Sequence, residues 1–162
     1  MNLIEPSFKA SSPPRPRGIV LVVEDDDDLR ELFVELLELG GWRAHGASSL
    51  GAARRKIAAT RPDLLVLDFQ LGGETSEPLL AELATMSCAP AALLVSASLA
   101  ARDVALTYGV TLVAKPFDAE QLLDQAGAVV ARARASRSGT RHSRLDAGDA
   151  TSRRASTGGL SS

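Results

Sequence analysis

Residues 19–23, Ile-Val-Leu-Val-Val, form an unbroken apolar and largely β-branched run, the pattern of a strand buried on both faces. After an acidic cluster, Leu29, Leu32, Phe33, Leu36 and Leu37 recur at the spacing of one helical face, and Gly40-Gly41 predicts where that helix stops. Trp42 to Ala47 is more polar, as an edge strand is. Ser48 is placed to cap a helix carrying Leu50, Ala53 and Ile57, which Pro62 closes. Leu64-Leu65-Val66-Leu67 predicts a third strand that stops at Asp68, followed by a Gly-Gly loop and a helix around Pro78 to Thr85. Ala91 to Ser96 predicts a fourth strand and Leu99 to Tyr108 a short helix. Leu112-Val113-Ala114 is the fifth strand, with Lys115-Pro116-Phe117 behind it. Asp118 caps a last helix that turns Leu122, Leu123, Ala126, Val129 and Val130 inward.

Five strands alternating with helices predict an α/β domain with a doubly wound parallel sheet, its crossovers right-handed. The compact stretch between Ser96 and Lys115 predicts a fourth helix that is short or irregular. In such a sheet, chemistry belongs at the C-terminal ends of the strands.

Length and charge place the boundaries. A chain of 162 residues has room for one domain with tails. The net charge is −2, yet residues 1–17 carry +2 and residues 132–162 carry +5, which leaves −9 for 18–131. Residues 1–17, with Ser-Ser-Pro-Pro-Arg-Pro-Arg, predict a disordered N-terminal arm. Residues 133–162 are rich in Arg and Ser, hold only Leu145 and Leu160 as large apolar residues, and predict a disordered tail. The foldable unit is 18–132.

Several function classes fall away. Cys88 stands alone and the two histidines are far apart, which excludes a disulfide scaffold and a Cys/His zinc site. The longest apolar run, Ala89 to Ala97, contains a proline and is too short for a bilayer. With no signal-peptide pattern, a cytoplasmic location is expected. The arginine tail has no interleaved aromatics, so a solvated tail is expected rather than a nucleic-acid interface.

The strand ends carry the chemistry. Glu24-Asp25-Asp26-Asp27-Asp28 follows the first strand, Asp68 the third, Ser96 ends the fourth, and Lys115-Pro116 follows the fifth. Each has a plain structural explanation on its own: acids cap helices, serines end strands, and loop lysines are solvated. All four at the same end of four different strands ask for more. Carboxylates brought together repel and need a cation, and oxygen ligands of this kind suit Mg²⁺.

The segments V-L-V-V-E-D-D-D-D-L-R-E-L, L-L-V-L-D-F, V-S-A and K-P-F together resemble the receiver domain of two-component response regulators, of the stand-alone type, over about residues 18–131. The resemblance implies a flavodoxin-like strand order 2-1-3-4-5. It implies that Asp68 is the phosphoacceptor, that Asp25 binds Mg²⁺ directly and Glu24 through water, and that Gln70 gives the metal its backbone carbonyl. It further implies that Ser96 is the switch hydroxyl, that Lys115 pairs with phosphoryl oxygen, and that Pro116 follows a cis bond. The phosphoryl donor would be a sensor histidine kinase or a histidine phosphotransfer protein. With no output domain in this sequence, output would pass through contact with an unknown downstream protein.

The chain also departs from the family pattern. Gly72 stands at the usual proline position after the phosphoacceptor, and Leu112 stands where many receivers carry an aromatic switch residue. Two other functions compete. A phosphorylation-independent interaction scaffold would not need Asp25, Asp68 and Lys115 together. An aspartyl phosphatase of the haloacid dehalogenase type needs a second aspartate two residues after the nucleophile, where this chain has Gln70.

Overall fold

The structure, a computed structural model, describes residues 16–146. Strands β1 (Ile19–Val23), β2 (Arg43–Ala47), β3 (Leu64–Asp68), β6 (Ala91–Ser96) and β7 (Thr111–Ala114) form one parallel sheet in the order β2-β1-β3-β6-β7. This is the flavodoxin-like order, because the intervening β4 (Gln70–Leu71) and β5 (Glu74–Thr75) make a separate antiparallel hairpin. Helices α1 (Asp27–Leu39), α2 (Leu50–Thr60), α3 (Glu77–Thr85), α4 (Ala100–Tyr108) and α5 (Ala119–Asp146) cover the faces.

Strand alternation divides the core into two layers. Val20, Val22, Leu64, Val66, Leu93, Val95 and Val113 pack against Phe33 and Leu37 of α1 and against Leu122, Ala126, Val129 and Val130 of α5. Leu21, Val23, Leu65, Leu67 and Leu94 pack against α2, α3 and α4. The central strands are therefore apolar up to their last residues, Asp68 in β3 and Ser96 in β6.

Local chemistry sets the element ends. Asp26 accepts the Leu29 amide at 2.9 Å and caps α1. Gly40 follows α1, and a Cβ there would lie 2.4 Å from a Leu123 methyl of α5, so any larger residue would have to displace that side chain. Asp118 accepts the Gln121 amide at 2.7 Å, the predicted cap of α5. Helix α4 is short, with nine residues, and regular, and left-handed Gly109 ends it.

Four expectations change. Ser49, not Ser48, caps α2, accepting the Ala52 amide at 3.2 Å. The Gly-Gly loop is a hairpin turn, with Gly72 at φ 57° and Gly73 at φ 89°, the positive pair a tight two-residue hairpin demands. On α1, Phe33 and Leu37 are buried, while Leu29 and Leu32 are exposed. The apolar pattern marks two adjoining stripes, and only one faces the sheet. Finally, α5 does not stop at residue 132 but continues to Asp146. Arg134 of this extension reaches the Arg17 carbonyl at 3.0 Å and Asp63 at 3.4 Å, and Arg137 reaches the Ala89 carbonyl at 2.7 Å. The segment predicted as tail thus begins as a docked helix. Residues 1–15 and 147–162 of the expected arm and tail lie outside the described residues.

Candidate functional site

The parallel sheet brings the predicted residues of several strand ends to one rim. Glu24 directly follows β1, Asp68 closes β3, and Lys115 directly follows β7. Lys115 Nζ lies 3.4 Å from Glu24 Oε2 and 3.4 Å from Asp68 Oδ2. One carboxylate oxygen each from Glu24, Asp25 and Asp68 falls within 4.8 Å of the others. One ammonium thus pairs with two carboxylates, and a third stands beside them.

The electrostatics show the strain of that ratio. Glu24 is only 2% exposed. Burial raises its pKa above the ordinary value, the neighbouring Asp68 charge raises it further, and Lys115 partly offsets both. Its Oε1 accepts the Asp26 amide at 3.3 Å. Three hard oxygen donors at this separation, short of positive charge, fit a divalent cation such as Mg²⁺.

The backbone beneath these groups is tied down. Arg30 Nη1 donates to the Glu24 carbonyl at 3.0 Å, and its Nη2 pairs with Asp27. Gly46 on β2 admits this arginine, since a Cβ there would lie 2.9 Å from Arg30 Cδ. Sequence reasoning missed Arg30. Its signal is a lone cation one helical turn after Asp26 inside an acidic run. Gly72 was missed as well: its amide donates to Asp25 Oδ2 at 3.0 Å.

Ser96 sits on the same rim, buried at the end of β6 beside Asp68, whose register partner is Val95. Its hydroxyl accepts the Ser98 amide at 3.0 Å and its carbonyl accepts the Lys115 amide at 2.9 Å. The lysine and the serine are therefore joined through the backbone. Gln70 lies exposed on β4, two residues past Asp68. The Lys115-Pro116 peptide bond is cis, as expected. Phe33 and Phe117 pack with ring centroids 5.7 Å apart, and Lys115 Nζ lies 6.0 Å from the Phe33 centroid.

The response regulator receiver domain family matches residues 20–127. The regulatory protein VirG of Agrobacterium fabrum is 32% identical over 121 residues, covering 70% of this chain and 48% of its own length. VirG of Rhizobium rhizogenes is 32% identical over 107 residues, covering 64% of this chain and 44% of its own. The chain thus spans about half the length of the curated relatives it matches. Among solved structures, a signal receiver domain of a response regulator from Bermanella marisrubri superposes with a TM-score of 0.65 at 26% identity, covering 69% of this chain and 97% of that one. The Vibrio cholerae chemotaxis protein CheY4 shares the fold, with a TM-score of 0.63 at 22% identity, covering 68% of this chain and 97% of that one.

Proposed function

The chain belongs to the response regulator receiver family, the switch module of two-component signalling, and from that premise we propose that Asp68 accepts a phosphoryl group from a partner's phosphohistidine. The observation that carries this reading is the convergence of Glu24, Asp25, Asp68 and Lys115 at one rim.

The step is a displacement at phosphorus. An Asp68 carboxylate oxygen attacks, a phosphorus–oxygen bond forms, and the phosphorus–nitrogen bond to the donor breaks with its electrons left on the imidazole. Lys115, already 3.4 Å from Asp68, neutralises charge on the transferring oxygens. Bound Mg²⁺ would add charge neutralisation on those same oxygens, held by Asp25 directly, Glu24 through water, Asp68 and the Gln70 backbone carbonyl. The Ser96 hydroxyl accepts from Ser98 and has its own proton to donate, so it can turn to a phosphoryl oxygen on Asp68.

Two surfaces fit the input and the output. On α1, which starts beside the acidic loop, Leu29, Leu32 and Leu39 are exposed and Leu36 is half-buried. Their spacing is that of a helix-packing seam, suited to a helical phosphodonor. Beyond Ser96, Leu99 and Leu106 are each 81% exposed, an apolar surface for a downstream protein. Leu112 carries no hydroxyl or aromatic ring, so the response runs through Ser96 and the loop after it.

Intact mass after incubation with acetyl phosphate and Mg²⁺ tests the proposal. One phosphate on the wild type and none on Asp68→Asn is expected. Equal labelling of both, or of neither, would sink the reading and leave the scaffold alternative.

A further inference from the structure

We infer that the β4–β5 hairpin is a positioning device for the metal-binding carboxylates, and that the backbone amide of Gly72 is the group through which it acts. The inference rests on the reading of Glu24, Asp25 and Asp68 as holders of a divalent cation.

Asp25 is an exposed side chain on a loop, and such a carboxylate is free to turn away from its neighbours. Here Gly72 N–H donates to its Oδ2 at 3.0 Å, across 47 residues of sequence. The donor is itself held. Gly72 and Gly73, both at positive φ, form the tip of a hairpin whose arms pair Gln70 with Thr75 and Leu71 with Glu74. Leu71 is buried in the core, and the Ser76 amide closes the hairpin base on the Phe69 carbonyl at 2.9 Å. Phe69 is also buried and donates its amide to the Val95 carbonyl at 3.0 Å. The hairpin grows directly from Asp68, so one anchored piece of chain places Asp68 and restrains Asp25.

The consequence for a cation is orientation. One oxygen of Asp25 is engaged by the amide, which leaves the other to turn toward Glu24 and Asp68. Hydrogen bonds of this kind behind a ligating carboxylate contribute about 10–100-fold to metal affinity. Proline, the residue the family pattern places here, has no N–H to donate. The clamp is therefore a property of this chain and its glycine, and Gly72 acts as a positioning residue through Asp25.

The test separates the N–H from the fold. A Cβ at Gly72 meets nothing within 4 Å, and asparagine tolerates the left-handed conformation, so Gly72→Asn retains both turn and donor. Gly72→Pro removes the donor and also cannot hold φ 57°, so a loss in that variant counts for the clamp only together with the exchange result below. Affinity for Mn²⁺, titrated by paramagnetic line broadening, is expected to stay within about twofold of wild type in Gly72→Asn and to fall about tenfold in Gly72→Pro. Hydrogen exchange gives a second readout that needs no metal and no proline variant. The Gly72 amide should exchange at least about tenfold faster in Asp25→Ala than in wild type, while the Ser76 amide is unchanged. The clamp is overturned if Gly72→Pro binds Mn²⁺ like wild type, if Gly72→Asn loses as much as Gly72→Pro, or if Gly72 exchange ignores Asp25. Should Gly72→Pro fail to fold, exchange decides alone. A wild type that binds no Mn²⁺ would overturn the metal reading itself, and this inference with it.

Discussion

The two ends of the central sheet handle charge in opposite ways. At the C-terminal rim, Glu24, Asp25 and Asp68 cluster around one ammonium that pairs with only Glu24 and Asp68, and burial with the Asp68 charge raises the Glu24 pKa. At the N-terminal rim the acids are matched. Asp63 accepts the Ile19 amide at 2.9 Å and the Arg134 guanidinium at 3.4 Å. On the outer flank, between α2 and α3, Glu82 takes Arg54 through three contacts of 2.6, 2.9 and 3.1 Å, which hold its carboxyl below the ordinary range. The same fold thus satisfies one edge and leaves the other in want of a cation.

Removing the ammonium of the C-terminal rim should give the largest effect. Lys115→Ala leaves buried Glu24 without its cation, and metal-free stability at neutral pH should fall by about 2 kcal/mol. Urea unfolding would measure the loss, and saturating Mg²⁺ should restore most of it. A melting curve unmoved by Mg²⁺ would contradict the shared-cation account.

At the matched rim, Asp63→Ala removes the acceptor for the Ile19 amide and the Arg134 anchor together, with an expected loss of about 1.5 kcal/mol. Mg²⁺ should leave this deficit untouched, since the site is at the other end of the sheet.

Glu24→Gln should move the opposite way. The native carboxyl has a pKa above its ordinary 4.5, so the folded state binds that proton more tightly than the unfolded chain. Its contribution to metal-free stability therefore falls as pH rises from about the ordinary value through the raised one, and levels off above it. The glutamine variant should lose that portion of the slope and melt higher than wild type at neutral pH without metal. Melting temperatures across pH 4 to 8 would show whether the two curves converge on the acid side, as expected.

The smallest effect belongs to the α5 extension. A chain of residues 16–134 lacks Arg137 and its bond to the Ala89 carbonyl, so it should lose no more than about 1 kcal/mol relative to 16–146. Parallel urea titrations would read the difference.

Much of this molecule was legible in its residues. β1 and β3 announce themselves because strands buried on both faces leave no polar position, so the charge immediately after each stands out. The strand order followed from the resemblance that those charges, Ser96 and Lys115 complete. What escaped the reading escaped it for physical reasons. The leucines of α1 repeat at helical spacing on two adjoining stripes, and periodicity alone does not say which one the sheet covers. The stretch after Arg132 has too few apolar side chains to suggest packing. Yet alanine and arginine are strong helix formers, and Arg134 and Arg137 dock through guanidinium-to-carbonyl bonds that hydrophobicity does not register. Gly72 acts through a backbone amide, which no side-chain pattern reveals.

The span of the Lys115–Glu24 contact, 91 residues, bears on how the protein comes into being. During synthesis the acidic loop and Asp68 leave the ribosome well before the strand that delivers the lysine. Until β7 joins the sheet, the three carboxylates have no ammonium among them and the pocket has no fifth-strand wall. A chain that has not yet formed β7 therefore lacks the cation of this rim, and the pairing of Lys115 with Glu24 and Asp68 arrives only with the completed sheet.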